Sequence, residues 1–160
     1  MNIAIDIYNI FFCILLAIAA WCAWKISVAD WRRRIIPDVY LFPLLLIGLI
    51  MATFFPWPVT IGQSVIAATS GYILATLIGF IFEKIGTRHK KSDIPIGMGD
   101  IKLIATGGVW LGATGLAMAL VIACISGIIW GMRQKQKYIP FAPFFIIGGI
   151  LSLITMAFLI

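Results

Sequence analysis

The sequence predicts an all-α polytopic membrane protein with six transmembrane helices and both termini on the extracytoplasmic side. Of its 160 residues, 62% are hydrophobic and only 11% are charged, whereas about a quarter of residues are charged in an average soluble domain. Apolar stretches recur from near residue 7 to the end, and a membrane-spanning helix needs roughly 20 such residues. Because the longest polar segment runs only from about residue 83 to residue 100, we expect residues 1–160 to form a single transmembrane domain.

The first three spans are predicted over residues 7–28, 39–55 and 61–82. The first span ends shortly before a basic run. Pro37 suits the first position of the second helix, because that position needs no backbone N–H. The second and third spans are joined by a short turn that contains Trp57, a residue type that is enriched at membrane interfaces.

The region between residues 101 and 132 is too long for one ordinary span and short for two. If it folds as a hairpin at residues 112–115, all Lys and Arg residues fall on one side of the membrane. A single helix would instead place the basic cluster at 133–137 opposite the others, against the positive-inside tendency. We therefore predict spans over 101–112, 115–132 and 141–160. The basic residues on the cytoplasmic side are then Lys25, Arg32, Arg33, Arg34, Lys84, Arg88, Lys90, Lys91, Lys102, Arg133, Lys135 and Lys137.

Charge and cysteine content argue against several other classes of protein. The net charge is +6, but the basic residues lie in short loops between apolar spans, so topology explains them better than nucleic-acid binding does. Cys13, Cys22 and Cys124 lie within apolar runs and indicate neither a zinc site nor a disulfide framework. No Lys or Arg precedes Lys25, so we expect no cleaved signal peptide and a retained first helix.

Two of the six carboxylates, Asp30 and Asp100, adjoin apolar spans at the cytoplasmic side. An acid at membrane depth costs roughly 2.5 to 3.5 kcal/mol on insertion scales, so such residues usually have a partner or a function. Two Asp side chains held a few ångströms apart cannot both ionise, so one keeps a proton. The charged member can take a proton from water while the neutral one hydrogen-bonds a peptide carbonyl. This aspartic protease chemistry needs no metal or other cofactor, and the only histidine, His89, lies in a basic loop.

Purely structural roles for these acids stay open at this point. Asp100 follows a glycine-rich turn and precedes an apolar run, which is also how many helices are capped. Asp30 lies beside a basic run and could form a surface ion pair, which contributes little. Asp38 suits the positive end of the second helix, and neither it nor Pro37 needs a catalytic role.

Three stretches of the chain match one family in order and spacing. The first is an Asp followed by a basic run and Ile-Pro, here Asp30 to Pro37; the second is G-x-G-D-x-K-L, here Gly97-Met98-Gly99-Asp100-Ile101-Lys102-Leu103; the third is Pro140-Phe141-Ala142-Pro143-Phe144, followed by Gly148. On these residues the chain resembles the short form of the type IV prepilin peptidase family, the A24 aspartic peptidases, which carries the peptidase domain only.

The resemblance implies that Asp30 and Asp100 are the catalytic pair, with Pro37, Gly97, Gly99, Lys102, Pro140 and Pro143 as supporting motif residues. It implies cleavage of the basic leader of prepilins or pseudopilins, usually after a Gly, at the cytoplasmic face of the bacterial inner membrane. We expect the apolar stem of the substrate to enter laterally from the bilayer. Lys102 is expected to face an acidic group of the substrate. The basic loops should favour anionic lipid head groups, and the sequence does not indicate an oligomeric state.

The sequence differs from the family pattern in two ways, and each difference leads to a further prediction. The family commonly has Asn where this chain has Asp38, so Asp38 is a rival for Asp30 or a modulator of the dyad. Long members also carry an N-terminal cysteine-containing segment with methyltransferase activity. Nothing in this sequence corresponds to that segment, so cleavage without N-methylation is expected.

Three other functions compete with this one. Presenilin-type proteases also have G-x-G-D, but they have more spans and a Tyr-Asp motif within a helix, which this chain lacks. A small proton-coupled transporter could use Asp30 and Asp100 as relay carboxylates, although neither acid lies at mid-membrane and no half-repeats are visible. A passive assembly subunit would use the glycine-rich spans only for packing.

Overall fold

The computed structural model describes residues 3–86, 97–134 and 139–159 of the chain, and these residues are helical with short connections. The helices are α1 (Ile3–Arg33), α2 (Asp38–Phe54), α3 (Ile61–Gly86), α4 (Met98–Gln134) and α5 (Phe141–Leu159). Four of them, α1, α3, α4 and α5, contain segments long and apolar enough to cross a membrane, and α2 is a shorter apolar helix. The prediction of a helical membrane fold is therefore confirmed.

Helix α4 contains a reversal of the chain. Gly112 has φ 64° and ψ −176°, which lie outside the helical region. A Cβ on Gly71 of α3 would lie 2.9 Å from Leu116 and 3.3 Å from Ile104. In a straight helix Leu116 and Ile104 would be about 18 Å apart along the axis, so the chain must fold back between them.

The two limbs of α4 (residues 98–111 and 113–134) therefore run in opposite directions. Trp130 confirms this geometry, because its ring lies 5.2 Å from that of Trp31, near the end of α1. The described part of the chain has five helices rather than six separate ones, since α4 includes both the fourth and the fifth predicted spans. The position of the reversal, at the glycine-rich segment 112–115, agrees with the sequence-based prediction.

Polar side chains from neighbouring elements stabilise the reversal. A helix that stops at residue 111 leaves its last carbonyl groups without intrahelical partners. Ser64 Oγ donates to the carbonyl of Val109 at 2.7 Å, and Trp57 Nε1 donates to that of Trp110 at 2.9 Å. On the other limb, Ser152 Oγ donates to the carbonyl of Gly115 at 3.1 Å. Trp57, which lies in the turn predicted at the membrane interface, therefore also contacts Trp110 of α4.

The first limb of α4 is the centre of the structure, and it packs between α3 and α5. All its residues from Thr106 to Leu111 are buried. Glycine makes this packing possible, because a Cβ on Gly108 would lie 2.7 Å from backbone atoms of Ala67 and Ala68 in α3. Close approach at small residues is typical of helices packed in membranes. Large apolar side chains of α1 and α3 are instead exposed, as expected for surfaces that face lipid.

The helices extend beyond the apolar runs that predicted them. Helix α1 continues to Arg33, so Asp30 lies inside its last turns rather than after the helix. Helix α2 begins at Asp38 with Pro37 as its N-cap residue, one position later than predicted. Arg34 follows α1 in the left-handed region, at φ 55°, and turns the chain toward α2. His89, Asp93 and the basic residues Arg88, Lys90, Lys91, Lys135 and Lys137 lie outside the described residues.

Candidate active site

Asp30 is a buried acid that is held by the beginning of another helix. Its side chain is only 5% exposed. The backbone N–H of Ala142, in the first turn of α5, donates to Asp30 Oδ2 at 2.8 Å. The first N–H groups of a helix have no intrahelical partner and form the positive end of its dipole. Asp30 is therefore bound at α5 and is not the surface ion pair that the basic run allowed.

Asp100 lies in the first turn of α4 and contacts the glycine segment that precedes it. Gly97 N donates to Asp100 Oδ2 at 3.3 Å, while the backbone N of Asp100 donates to the carbonyl of Gly97 at 3.0 Å. The side chain thus reaches back to the residue before the helix, as the acidic member of a capping box does. Asp100 is therefore the third residue of α4 and not its N-cap residue, as the sequence had allowed, and it stays partly accessible.

The glycines of the G-x-G-D segment allow close packing around Asp100. A Cβ on Gly99 would lie 2.9 Å from Cβ of Ile36, in the loop that follows α1. A Cβ on Gly97 would lie 3.4 Å from Asp100 Oδ2. Larger residues would therefore separate the first turn of α4 from the loop at 34–37 or crowd the carboxyl group.

Asp30 and Asp100 line one cavity of about 1210 Å³. They are close enough for the charge of Asp30 to act on Asp100. The rest of the cavity wall is mainly apolar and comes from α3, the second limb of α4 and the beginning of α5. Representative wall residues are Leu74, Ile78, Leu116, Leu120, Cys124 and Phe141. The two acids thus share a mainly apolar cavity that is large enough for a polypeptide segment.

Of the remaining motif residues, Pro140 also lines this cavity. Pro140 is buried immediately before α5, and Pro143 lies in the first turn of α5, where its lack of an N–H costs no helical hydrogen bond. Arg34 also lines the cavity, and its guanidinium carbon lies 5.9 Å from the ring centroid of Trp130.

Lys102 and Asp38 form an ion pair next to the site, with Nζ 2.7 Å from Oδ2. Neither residue lines the cavity. Asp38 therefore lies apart from the position that Asp30 occupies. Lys102, which was predicted to face an acidic group of the substrate, contacts Asp38 in the structure, and its contact with a substrate stays a prediction.

The described ranges 3–86, 97–134 and 139–159 contain no group of three or more His, Cys, Asp or Glu side chains placed to hold a metal ion.

Two features of the site were missed by sequence reasoning. The contact between Asp30 and Ala142 joins residues 112 positions apart, and no local pattern indicates it, although the Pro140-Phe141-Ala142-Pro143 segment indicated a helix beginning. The interaction of Arg34 with Trp130 was also missed, because nothing in the sequence brings these residues together.

Comparisons with known proteins agree with the motif-based resemblance. A prepilin leader peptidase/N-methyltransferase of Aeromonas salmonicida (strain A449) is 28% identical over 141 residues, which cover 84% of this chain and 46% of that protein. A protein of the same name from Pectobacterium carotovorum subsp. carotovorum is 30% identical over 143 residues, covering 83% and 48%. The type 4 prepilin-like proteins leader peptide-processing enzyme of Escherichia coli O78:H11 is 31% identical over 150 residues, covering 89% and 52%.

The chain spans about half the length of these relatives. No solved structure matches it significantly. The model of the type IV leader peptidase family matches residues 10–132, a range that includes Asp30 and Asp100. Together with the apolar helices, this match identifies a multi-pass membrane protein that belongs to the type IV leader peptidase family.

Proposed function

We propose that the chain is an intramembrane aspartic endopeptidase that removes the basic leader from type IV prepilins or pseudopilins. The observation that carries the proposal is that Asp30 and Asp100, distant in sequence, line the same cavity. The relatives are named for leader peptide processing, which supports prepilins as the substrate class. In the proposed reaction the two carboxyl groups share one proton and activate a water molecule against the scissile carbonyl.

The apolar part of the cavity suits a helical substrate stem. An α-helix about 10 Å wide rises 1.5 Å per residue, so each residue occupies roughly 120 Å³. A cavity of about 1210 Å³ is therefore large enough for a short segment of helix. We place the apolar stem along α3 and the second limb of α4, with the junction between leader and stem at the two aspartates.

We also propose six membrane crossings, with both termini outside and the aspartates at the cytoplasmic face of the inner membrane. The reversal at Gly112 supports this count, because it lets the two limbs of α4 cross separately. The first limb has 14 residues, about 21 Å of helix, which is shorter than a typical hydrocarbon core of about 30 Å. It lies in the protein interior, where contacts with α3 and α5 replace contacts with lipid.

The proposal is tested with purified protein in liposomes that also contain a full-length prepilin. We expect release of the leader and an intact mature pilin, both identified by mass. The Asp100→Asn variant, at equal protein level, should release neither. A pH-sensitive dye inside the same liposomes reports proton flux. Proton flux without cleavage of any of several prepilins would contradict the protease proposal and favour the transporter considered from the sequence.

A further inference from the structure

The two acids of the candidate site have unequal hydrogen-bonding environments. Asp30 accepts a hydrogen bond of 2.8 Å from Ala142 N, and the N–H of Phe141 adds a second attraction. Asp100 accepts a longer bond of 3.3 Å from Gly97 N. Burial opposes the ionisation of both acids, and what distinguishes Asp30 from Asp100 is the number and length of the hydrogen bonds that its carboxyl group accepts.

The donors of Asp30 favour its ionised form. They are the free N–H groups of a helix beginning, where the helix dipole stabilises negative charge. Hydrogen bonds from N–H groups to a carboxylate are also stronger than those to a neutral acceptor. Asp100 contacts the beginning of its own helix only through the bond to Gly97. The geometry therefore favours negative charge on Asp30 over negative charge on Asp100.

The other charged groups around Asp30 act in the same direction. Arg34, at the end of α1, lines the cavity and attracts the Asp30 carboxylate. From α4 the facing acid is Asp100, whose own ionisation is opposed by the charge of Asp30. Among the cavity-lining residues, α3 and α5 contribute no charged side chain, and α4 adds only Cys124 as a further titratable group.

We infer that Asp30 is the ionised member of the pair and Asp100 the protonated one, with the first turn of α5 as the element that sets this order. The role of each acid in catalysis rests on the proposed function. Asp30 takes a proton from water as the water oxygen bonds to the scissile carbonyl carbon, while Asp100 gives its proton to the carbonyl oxygen. As the C–N bond breaks, Asp30 returns a proton to the leaving nitrogen and one hydroxyl of the diol returns a proton to Asp100.

This inference gives the third sequence motif a physical role. Pro140 and Pro143 fix the chain for a helix beginning, and Pro143 has no N–H of its own. The N–H groups of Phe141 and Ala142 lie between the two prolines and are the ones directed at Asp30. Ala142 is thus a positioning residue that acts through its backbone, with a side chain that is fully buried.

Infrared difference spectroscopy of the purified protein, from mildly acidic to neutral pH, tests the proton order without any substrate. The carbonyl stretch of a protonated carboxyl group is separate from that of an ionised carboxylate. At mildly acidic pH we expect the wild type to show one such band from the pair, the Asp100→Asn variant to lose it, and the Asp30→Asn variant to keep it. Toward neutral pH the band of Asp30→Asn should fade first, because the charge of Asp30 no longer opposes the ionisation of Asp100. Loss in Asp30→Asn alone, or equal loss in both, would overturn the inference. If the bands behave as expected while no prepilin is cleaved, only the proposed function fails.

A second variant tests the role of α5 through the pH dependence of cleavage. Ala142→Pro removes the N–H bound to Asp30 and is compatible with a first helical turn. The ionised form of Asp30 should then be less stable, so the acidic limb of the kcat profile should move up by about one pH unit, with KM little changed. Gly62→Pro, in the first turn of α3 with open space around it, is the control and should keep the wild-type profile. An unshifted profile in folded Ala142→Pro would contradict the role of this N–H.

Discussion

Lys102 Nζ lies 2.7 Å from Asp38 Oδ2 and joins the beginning of α4 to the beginning of α2. Asp100 lies two residues before Lys102, and a short loop joins α1, which carries Asp30, to Asp38. The ion pair therefore connects the helix that carries Asp100 to the helix that follows Asp30 in the chain. Both side chains are partly exposed, at 39% for Lys102 and 47% for Asp38, so the pair is expected to adjust the site rather than to hold the fold together.

Substitution of either partner should have a small and equal effect. Exposed ion pairs contribute roughly 0 to 1 kcal/mol, so Asp38→Asn and Lys102→Met should each lower the rate of prepilin cleavage by no more than about fivefold. The double variant should be no slower than either single variant, because all three lose the same interaction. The measurement is a double-mutant cycle on kcat/KM. A much larger loss in Lys102→Met than in Asp38→Asn would instead indicate that Lys102 contacts the substrate.

Close packing between α3 and α4 predicts that Gly108 does not tolerate a methyl group. A Cβ at this position would lie 2.7 Å from the backbone of Ala67 and Ala68, so the helices must separate. We expect Gly108→Ala to destabilise the protein by about 1 to 3 kcal/mol, measured as a lower midpoint of thermal unfolding in detergent. Gly79→Ala, which has nothing within 4 Å of the new Cβ, is the matched control. Equal midpoints for the two variants would be inconsistent with this packing.

Filling the cavity should weaken substrate binding without unfolding the protein. Ala117 lines the cavity, whereas its neighbour Met118 is exposed on another side of α4. Ala117→Phe should raise KM for a prepilin by about tenfold or more, since a ring then occupies space assigned to the substrate stem. Met118→Phe should leave KM unchanged. The proposed substrate position is wrong if both variants bind the prepilin equally well.

The proposed topology predicts which positions a membrane-impermeant thiol reagent can reach in spheroplasts. Cys13, Cys22 and Cys124 would first be replaced, because they would otherwise react or confuse the assignment. A cysteine at Thr114, next to the reversal, should be labelled from outside. Cysteines at Arg33 and Arg133 should react only after the membrane is permeabilised. Labelling of the Arg133 position from outside would mean that α4 crosses the membrane once.

Much of the fold could be predicted from the sequence because a helix that crosses the lipid bilayer needs a long run of apolar residues. Apolar runs predicted the spans, and the distribution of Lys and Arg predicted a reversal of the chain at 112–115. The structure has this reversal, with a non-helical backbone at Gly112 and with Leu116 and Ile104 both close to Gly71. The end of α1 was less predictable. Hydropathy stops at the polar residues after Val28, but these residues are acceptable helix formers, so the helix continues to Arg33.

The candidate site was only partly predictable, for a related physical reason. Sequence motifs identified Asp30 and Asp100, because a catalytic pair of this kind requires two carboxyl groups and the sequence contains only six. The partners of these acids depend on tertiary contacts that have no local signal. Asp30 meets Ala142, and Lys102 meets Asp38, only once the helices have packed. The ion pair of Lys102 with Asp38 was therefore not predicted, while the contact of Lys102 with the substrate stays a prediction.

The central claim is that Asp30 and Asp100 together, and not Asp38, perform peptide cleavage. The most direct measurement is the rate of leader release from a co-expressed prepilin by Asp30→Asn, Asp100→Asn and Asp38→Asn, with the amount of each variant in the membrane checked. We expect no detectable cleavage by the first two variants and near-wild-type cleavage by Asp38→Asn. Normal cleavage by either Asp30→Asn or Asp100→Asn, at equal protein level, would contradict the assignment of the pair.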